Sequence, residues 1–187
     1  MTTTNTQAPS SLVARALSYA TKAHEGQKRK YTFEPYIVHP INVLSILLEH
    51  NEDPEHGLND EAYAAALLHD TVEDTPVTEE DIRENFGDVV GDYVRGMTKV
   101  EDPKNNRATR KEAEAVRLSE ESAIVQTIKC ADLLANQVSI VEHDHNFAKV
   151  FLKESRVLHS VMTKALPSLR RALITAIDRD EKLTLKE

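Results

Sequence analysis

The sequence predicts an all-α fold, and two of its features support that prediction. Apolar residues recur at the three- and four-residue spacing of an amphipathic helix, as they do for Leu12, Ala16, Tyr19, Ala20 and Ala23. Five glycines and seven prolines in 187 residues suit long helices with short connections better than a many-turned β-protein. No series of alternating segments indicates a sheet. We therefore expect a helical bundle over residues 10–187, which form one domain after a flexible N-terminal tail over 1–9.

The predicted helices can be placed in chain order. Ser10 or Ser11 is expected to cap the first helix, and Thr78 is expected to cap a short acidic helix that ends near Phe86. The other helices are expected over 41–48, 62–68, 88–97, 113–142 with a break near 118–121, and 147–184 with a break near Pro167. Residues 51–59 read as a linker, and the charged stretch 100–112 is expected to be a mobile loop.

Composition excludes several classes of protein. A net charge of −8 argues against nucleic-acid binding. Cys130 is the one cysteine, so an internal disulfide and a cysteine-only metal site are excluded, and a reducing cytoplasm is favoured. Residues 1–9 lack the apolar core of a signal peptide, and no apolar run approaches the roughly 18–20 residues of a membrane span. The sequence gives no indication of the oligomeric state.

Four polar residues stand within or at the ends of apolar segments: His39, His69, Asp70 and Asp132. A charged group in a buried segment is costly unless it is paired or binds a metal. Two neutral imidazoles and two carboxylates would neutralise one divalent cation. Mixed nitrogen and oxygen ligands suit Mn²⁺, Fe²⁺ or Zn²⁺ better than Ca²⁺, and the two carboxylates favour Mn²⁺. Such a site would leave coordination positions for water and a phosphate oxygen.

Two further acidic residues follow this His-Asp pair. If the helix continues past His69, then Glu73 and Asp74 lie four residues beyond His69 and Asp70 and face the metal. They would then orient or deprotonate an attacking water. The alternative is that Asp74 or Thr75 caps the next helix and that Glu73 is merely solvated. A single His-Asp dipeptide is a weak signal. The prediction of a metal-dependent site therefore depends on the combination of the two histidines with the acidic residues.

The combination resembles the hydrolase domain of RelA/SpoT homologues, which has an HD-domain fold. The motifs that carry the resemblance occur in family order within residues 12–140: HEGQKRK at 24–30, PYIVHP at 35–40, AALLHDTVEDT at 65–75, FG at 86–87, GMTK at 96–99, and KCAD at 129–132 followed by Asn136. Because no synthetase or regulatory domain follows, the chain resembles a stand-alone small alarmone hydrolase. The family removes the 3′-pyrophosphate from ppGpp and pppGpp, usually with Mn²⁺.

The resemblance implies roles for individual residues. One divalent cation per chain would be held by His39, His69, Asp70 and Asp132. Glu73 and Asp74 would be the catalytic acidic pair. Arg29 would stack near the base, Lys30 would lie near phosphate, and Asn136 would contact base or ribose. The basic run Lys28 to Lys30 would attract a polyphosphate small molecule to an otherwise acidic chain.

The sequence departs from the family pattern near the expected nucleotide pocket, at Leu133, Gln137 and Val138. Adenine alarmones such as ppApp, and the ribose phosphate of NADPH, are therefore alternative substrates. A nucleotide-binding HD module without activity is an alternative of another class. A two-metal phosphodiesterase would need additional histidines, which could come only from His24, His50, His56, His143, His145 and His159.

Overall fold

The structure, a computed structural model, describes residues 11–51, 57–99 and 106–184. These residues form helices in the order α1 (Leu12–Ala23), α2 (Val38–His50), α3 (Asp60–Leu68), α4 (Thr71–Asp74), α5 (Glu79–Phe86), α6 (Asp88–Met97), α7 (Arg107–Glu120), α8 (Ala123–His143), α9 (His145–Val161) and α10 (Pro167–Thr184). Within the described residues, the nearest approach to a sheet is one isolated bridge between Lys28 and Pro35. The all-α prediction is confirmed. The predicted tail over 1–9 lies outside the described residues.

The helix caps follow the signals in the sequence. The Ser11 side chain accepts a hydrogen bond from the Ala14 N–H at 3.2 Å and begins α1. At the start of α5, the Thr78 hydroxyl accepts from the Asp81 N–H at 3.1 Å, and the Asp81 carboxylate accepts from the Thr78 N–H at 2.8 Å. This reciprocal pair is a capping box. Gly87, with φ +89°, ends α5 and allows α6 to begin at once, which explains the Phe-Gly step.

The prediction of a mobile loop over 100–112 is wrong for residues 107–112, because α7 begins at Arg107. The Asn106 side chain caps this helix by accepting from the Thr109 N–H at 3.0 Å. Charge alone suggested a loop, but the charged residues lie mostly on the solvent face while Ala115 and Leu118 are buried. Residues 100–105 lie outside the described residues. The predicted interruptions before α8 and before α10 are confirmed.

Two helices occupy the centre of the bundle. Helix α3 packs against α1, α2, α6 and α8, and its residues from Ala64 to Leu68 are fully buried. Helix α8 packs in addition against α9 and α10. The alanines of α3 allow close approach because they carry only a methyl group. His39 lies in the first turn of α2, His69 follows the last residue of α3, and Asp132 is in the middle of α8. The contacts among these three helices therefore bring the three residues together.

Enlarging a side chain in α3 is expected to destabilise the fold. Ala65 is fully buried, so Ala65→Leu would force neighbouring helices apart, at a cost of roughly 1–3 kcal/mol in the free energy of unfolding. Ala113→Leu, on the exposed side of α7, is a matched control with little expected effect. Urea unfolding of the two variants compares them directly. Equal destabilisation of both would contradict the close packing of α3.

None of the helices in the described part of the chain combines the length and the apolar character needed to cross a membrane.

Candidate metal centre

The structure brings the four residues predicted as metal ligands into one cluster, which we call the metal cluster: His39, His69, Asp70 and Asp132. Possible ligand atoms of His39, His69 and Asp70 all lie within 4.8 Å of one another. The Asp70 Oδ2 atom is 3.5 Å from His39 Nε2 and 3.1 Å from His69 Nε2. The Asp132 Oδ1 atom is 3.2 Å from His39 Nε2 and 3.8 Å from His69 Nε2. Both imidazoles therefore direct Nε2 towards both carboxylates.

The hydrogen bonds of His69 prepare it to bind a cation. Its Nδ1 is 2.7 Å from the Ala66 carbonyl oxygen, which can only accept, so Nδ1 carries a proton. In the neutral ring the lone pair is then on Nε2, which is the arrangement of metal-binding histidines. The Nε2 atom is buried between the Asp70 and Asp132 carboxylates and makes no hydrogen bond of good geometry to either of them. A buried nitrogen between two carboxylates fits a divalent cation.

The electrostatics of the cluster depend on whether a cation is present. Burial alone would lower the pKa of His69, but the Asp70 and Asp132 carboxylates raise it to about 10. Burial likewise opposes ionisation of Asp70, yet the neighbouring His69 holds the pKa of that carboxyl below its usual range. Without a metal, the proton on His69 supplies the positive charge that the two carboxylates need. A divalent cation would replace that proton.

Metal binding is therefore expected to release a proton and to strengthen as the pH rises. The raised pKa of His69 favours the protonated, metal-free form at neutral pH, and this competition weakens with each step in pH towards about 10. Calorimetric titration with Mn²⁺ in buffers of different ionisation enthalpy measures the released protons. An affinity that stays constant between about pH 6 and 9 would contradict proton displacement from His69.

The Asp132 carboxylate is held on both of its oxygens. Its Oδ2 accepts from Lys129 Nζ at 2.8 Å, and its Oδ1 accepts from Asn136 Nδ2 at 2.7 Å. The sequence analysis assigned no role to Lys129. A usable signal was present, because this lysine lies in the buried run Val125–Ala131 and three residues before the predicted ligand Asp132.

Helix α3 does not continue through the acidic pair, Glu73 and Asp74. It ends at Leu68, and the separate one-turn helix α4 follows the His-Asp pair. The Asp74 N–H still donates to the Asp70 carbonyl oxygen at 2.9 Å, so Asp74 lies one helical turn after Asp70. The alternative that Asp74 or Thr75 caps the next helix is wrong, because Thr78 caps α5. Glu73 is exposed, and its Oε1 accepts from Lys99 Nζ at 2.7 Å.

A cavity of about 350 Å³ joins these groups, since it is lined by the acidic pair and by His69, Asp70 and Asp132. A neighbouring cavity of about 290 Å³ shares Asn136 and Phe147 with it and is lined by Arg29 and Lys30. Arg29 Nη2 donates to Asn136 Oδ1 at 3.0 Å, and its guanidinium lies 5.8 Å from the Tyr36 ring centroid. Lys30 lies further out, with its side chain 73% exposed and its Nζ 3.7 Å from Asp144.

The three residues that depart from the family pattern, Leu133, Gln137 and Val138, lie in different environments. Leu133 is buried and lines the larger cavity. The Gln137 Nε2 atom instead donates to Asp180 of α10 at 2.7 Å, and Val138 is 66% exposed. Leu133 is thus the departure that borders the cavity next to the metal cluster.

The remaining histidines form no second centre within the described residues. His24 is buried close to the cluster, but its ring packs on Tyr36 with a centroid distance of 4.6 Å and its Nδ1 is 2.7 Å from Gln27 Oε1. His143 and His145 are exposed. His56 lies outside the described residues. In the part of the chain that the structure describes, the group with close ligand atoms is the one around His39, His69 and Asp70.

The chain belongs to the HD domain family, whose profile matches residues 16–136. The guanosine-3′,5′-bis(diphosphate) 3′-pyrophosphohydrolase of Aquifex aeolicus is 48% identical over 88 residues, which cover 47% of this chain and 12% of that protein. The bifunctional (p)ppGpp synthase/hydrolase SpoT of Escherichia coli is 43% identical over 101 residues, which cover 54% of this chain and 13% of that protein. This chain thus spans about an eighth of the length of these relatives.

A solved structure covers nearly the whole chain. It is described as a metazoan ortholog of SpoT that hydrolyzes ppGpp and plays a role in starvation responses. The match has a TM-score of 0.80 and 26% identity, and it covers 92% of this chain and 97% of that one. The predicted resemblance to RelA/SpoT homologues is confirmed by these matches. Family membership implies a divalent metal, for which the metal cluster offers ligands.

Proposed function

We propose that this chain is a metal-dependent hydrolase that removes the 3′-pyrophosphate of ppGpp and pppGpp and leaves GDP or GTP. The observation that carries the proposal is the cavity of about 350 Å³ in which histidine and aspartate ligands adjoin the acidic pair. A site for nucleotide binding alone has no need of both groups. The similarity to a ppGpp-hydrolysing structure over 92% of the chain supports this choice of substrate.

The metal cluster is proposed to hold one cation, and Mn²⁺ is proposed because the ligand set combines imidazole nitrogen with carboxylate oxygen. When bound, the cation would polarise the scissile phosphate and lower the pKa of a coordinated water. Tyr36 positions one ligand, since its hydroxyl donates to Asp70 Oδ2 at 2.6 Å. Burial and the nearby Asp70 charge raise the pKa of Tyr36, so this phenol keeps the proton that it donates.

The acidic pair is proposed to manage the attacking water. Glu73 and Asp74 are exposed to the cavity beside Asp70, so a carboxylate oxygen there can accept a proton from a water bound next to the ligands. Lys99 holds Glu73 through its Nζ and orients that carboxylate. A lysine at this position also offers positive charge to the phosphates of a substrate.

The nucleotide is proposed to lie across the two adjoining cavities. Arg29 and Asn136 line the smaller of the two cavities, where a planar guanidinium suits stacking on a base and an amide suits a hydrogen bond to base or ribose. Lys30, whose side chain is exposed at the outer rim of this cavity, is proposed to meet phosphate. We propose that the substrate is a small nucleotide and not a nucleic acid, and that the chain acts in the cytoplasm.

The experiment is hydrolysis of ppGpp, ppApp and NADPH side by side with Mn²⁺, with products separated by ion-exchange chromatography. We expect GDP and pyrophosphate to form fastest. Faster release from ppApp or NADPH would keep the metal chemistry but would contradict guanosine specificity. Absence of turnover in protein that binds Mn²⁺ would contradict the hydrolase and favour a nucleotide-binding module.

A further inference from the structure

A buried lysine lies beside the metal cluster and lines the same cavity. The Lys129 side chain is 9% exposed, and its Nζ donates to Asp132 Oδ2 at 2.8 Å. The two residues are three positions apart on α8, so they share one face of that helix. A buried ammonium is costly unless it is paired, which means that this contact is an important determinant of where both side chains lie.

A second buried carboxylate reaches the same lysine from another helix. Glu114 of α7 has a side chain that is 6% exposed, and its Oε1 lies 3.7 Å from Lys129 Nζ. Its Oε2 accepts from Lys111 Nζ at 2.6 Å. The buried Oε1 has no hydrogen-bond partner, so its interaction with Lys129 is one between charges. Lys129 thus lies between two carboxylates, one belonging to the metal cluster and one outside it.

This arrangement determines which oxygen of Asp132 faces the histidines. Because Lys129 holds Oδ2, the other oxygen, Oδ1, lies 3.2 Å from His39 Nε2. A carboxylate bound in this way would offer a cation one oxygen in a fixed position. Groups outside the ligand set that orient a ligand usually matter for metal affinity.

The carboxylate of Glu114 offsets part of the nearby positive charge. An ammonium so close to a cation site would repel the cation, but Glu114 carries the opposite charge and reduces that repulsion. Glu114 is shared between Lys129 and Lys111, so the three side chains together carry one positive charge. Asp70 and Asp132 supply the two negative charges for a divalent cation.

We propose that Lys129 is a positioning residue of the metal centre: it fixes Asp132 with one oxygen towards the histidines, while Glu114 offsets part of its charge. This inference rests on the metal site of the proposed function. It assigns to Lys129 no contact with substrate and no part in proton transfer.

The test compares Mn²⁺ affinity in variants that keep the net charge. Lys129→Met with Glu114→Gln removes one positive and one negative charge, so neither Lys129 nor Glu114 is left without the other, and Asp132 keeps its hydrogen bond from Asn136. The matched control is Lys153→Met with Glu112→Gln, two exposed residues on α9 and α7. Calorimetric titration of the metal-free full chain is expected to show about 10- to 100-fold weaker Mn²⁺ binding in the first variant and wild-type affinity in the control.

Two further readouts separate positioning from a general effect on the fold. Thermal unfolding of the metal-free double variant measures the cost of losing the buried Lys129–Asp132 pair, and the additional stabilisation produced by added Mn²⁺ is expected to be smaller than in the wild type. Glu114→Gln alone keeps the Lys129–Asp132 contact but leaves the lysine charge unbalanced, so it is also expected to weaken Mn²⁺ binding. This single variant tests the charge balance even where the double variant folds poorly.

Equal Mn²⁺ affinity in the wild type and the Lys129→Met, Glu114→Gln variant would overturn this inference and leave the proposed function intact. A wild-type chain that binds no divalent cation would overturn the metal site itself, and with it both proposals. The two failures are therefore distinguishable in one set of titrations.

Discussion

Replacing the acidic pair by amides, Glu73→Gln with Asp74→Asn, is expected to abolish measurable turnover while the chain still binds metal. Both substitutions preserve shape and remove the negative charge together with the ability to accept a proton. Proton transfer by a positioned carboxylate typically contributes about 10²–10⁴-fold to a rate, so kcat should fall by at least that factor. Turnover of ppGpp and Mn²⁺ affinity are the two measurements.

The control for the acidic pair is Glu80→Gln with Glu84→Gln, which removes the same charge from the exposed face of α5. We expect that variant to retain wild-type turnover. If the Glu73→Gln, Asp74→Asn variant remained active, the proposed role of the acidic pair would be wrong. If it lost Mn²⁺ binding as well, these carboxylates would belong to the ligand set instead.

A comparison of two buried histidines gives the second large effect. His39→Gln is expected to remove one ligand and to weaken Mn²⁺ binding by about 100-fold or more. Substituting a residue that only orients a ligand already weakens metal binding by about 10- to 100-fold. His24→Gln is the matched control, because His24 is equally buried but packs on Tyr36 and contacts Gln27. Both variants lose a buried imidazole, so a general effect on packing appears in both.

The expected difference is in metal affinity and not in stability. The His24→Gln variant should bind one equivalent of Mn²⁺ about as tightly as the wild type. A large loss of Mn²⁺ binding in that variant would show that His24 is a ligand and would revive the two-metal alternative. Unchanged affinity in His39→Gln would contradict the proposed ligand set.

Much of this fold could be predicted from its sequence, because its helices carry clear local signals. Ser11 and Thr78 cap helices where the sequence places them, and the buried alanines of α3 form an uninterrupted apolar run. The residues of the metal cluster could be proposed because His69 and Asp132 interrupt or end such runs. Local patterns of this kind depend on neighbours within one or two turns.

Other features depend on contacts between distant segments, which one sequence does not reveal. Glu114 looks like one more charge in a charged stretch, yet it is buried against Lys129 of the next helix. Residues 107–112 were predicted to be a loop because they are highly charged, yet α7 begins at Arg107. Asn106 was an available signal for the N-cap of this helix. Gln137 was expected to lie near the nucleotide pocket, but its amide donates to Asp180, 43 residues away.

The central claim is that one divalent cation in the metal cluster supports hydrolysis. The most direct measurement strips the full chain with a chelator, adds Mn²⁺ back stepwise, and follows pyrophosphate released from ppGpp at each step. We expect no release without metal and full activity at one equivalent of bound Mn²⁺ per chain. Activity that persists in the metal-free protein, or that requires two equivalents, would contradict the single-metal centre.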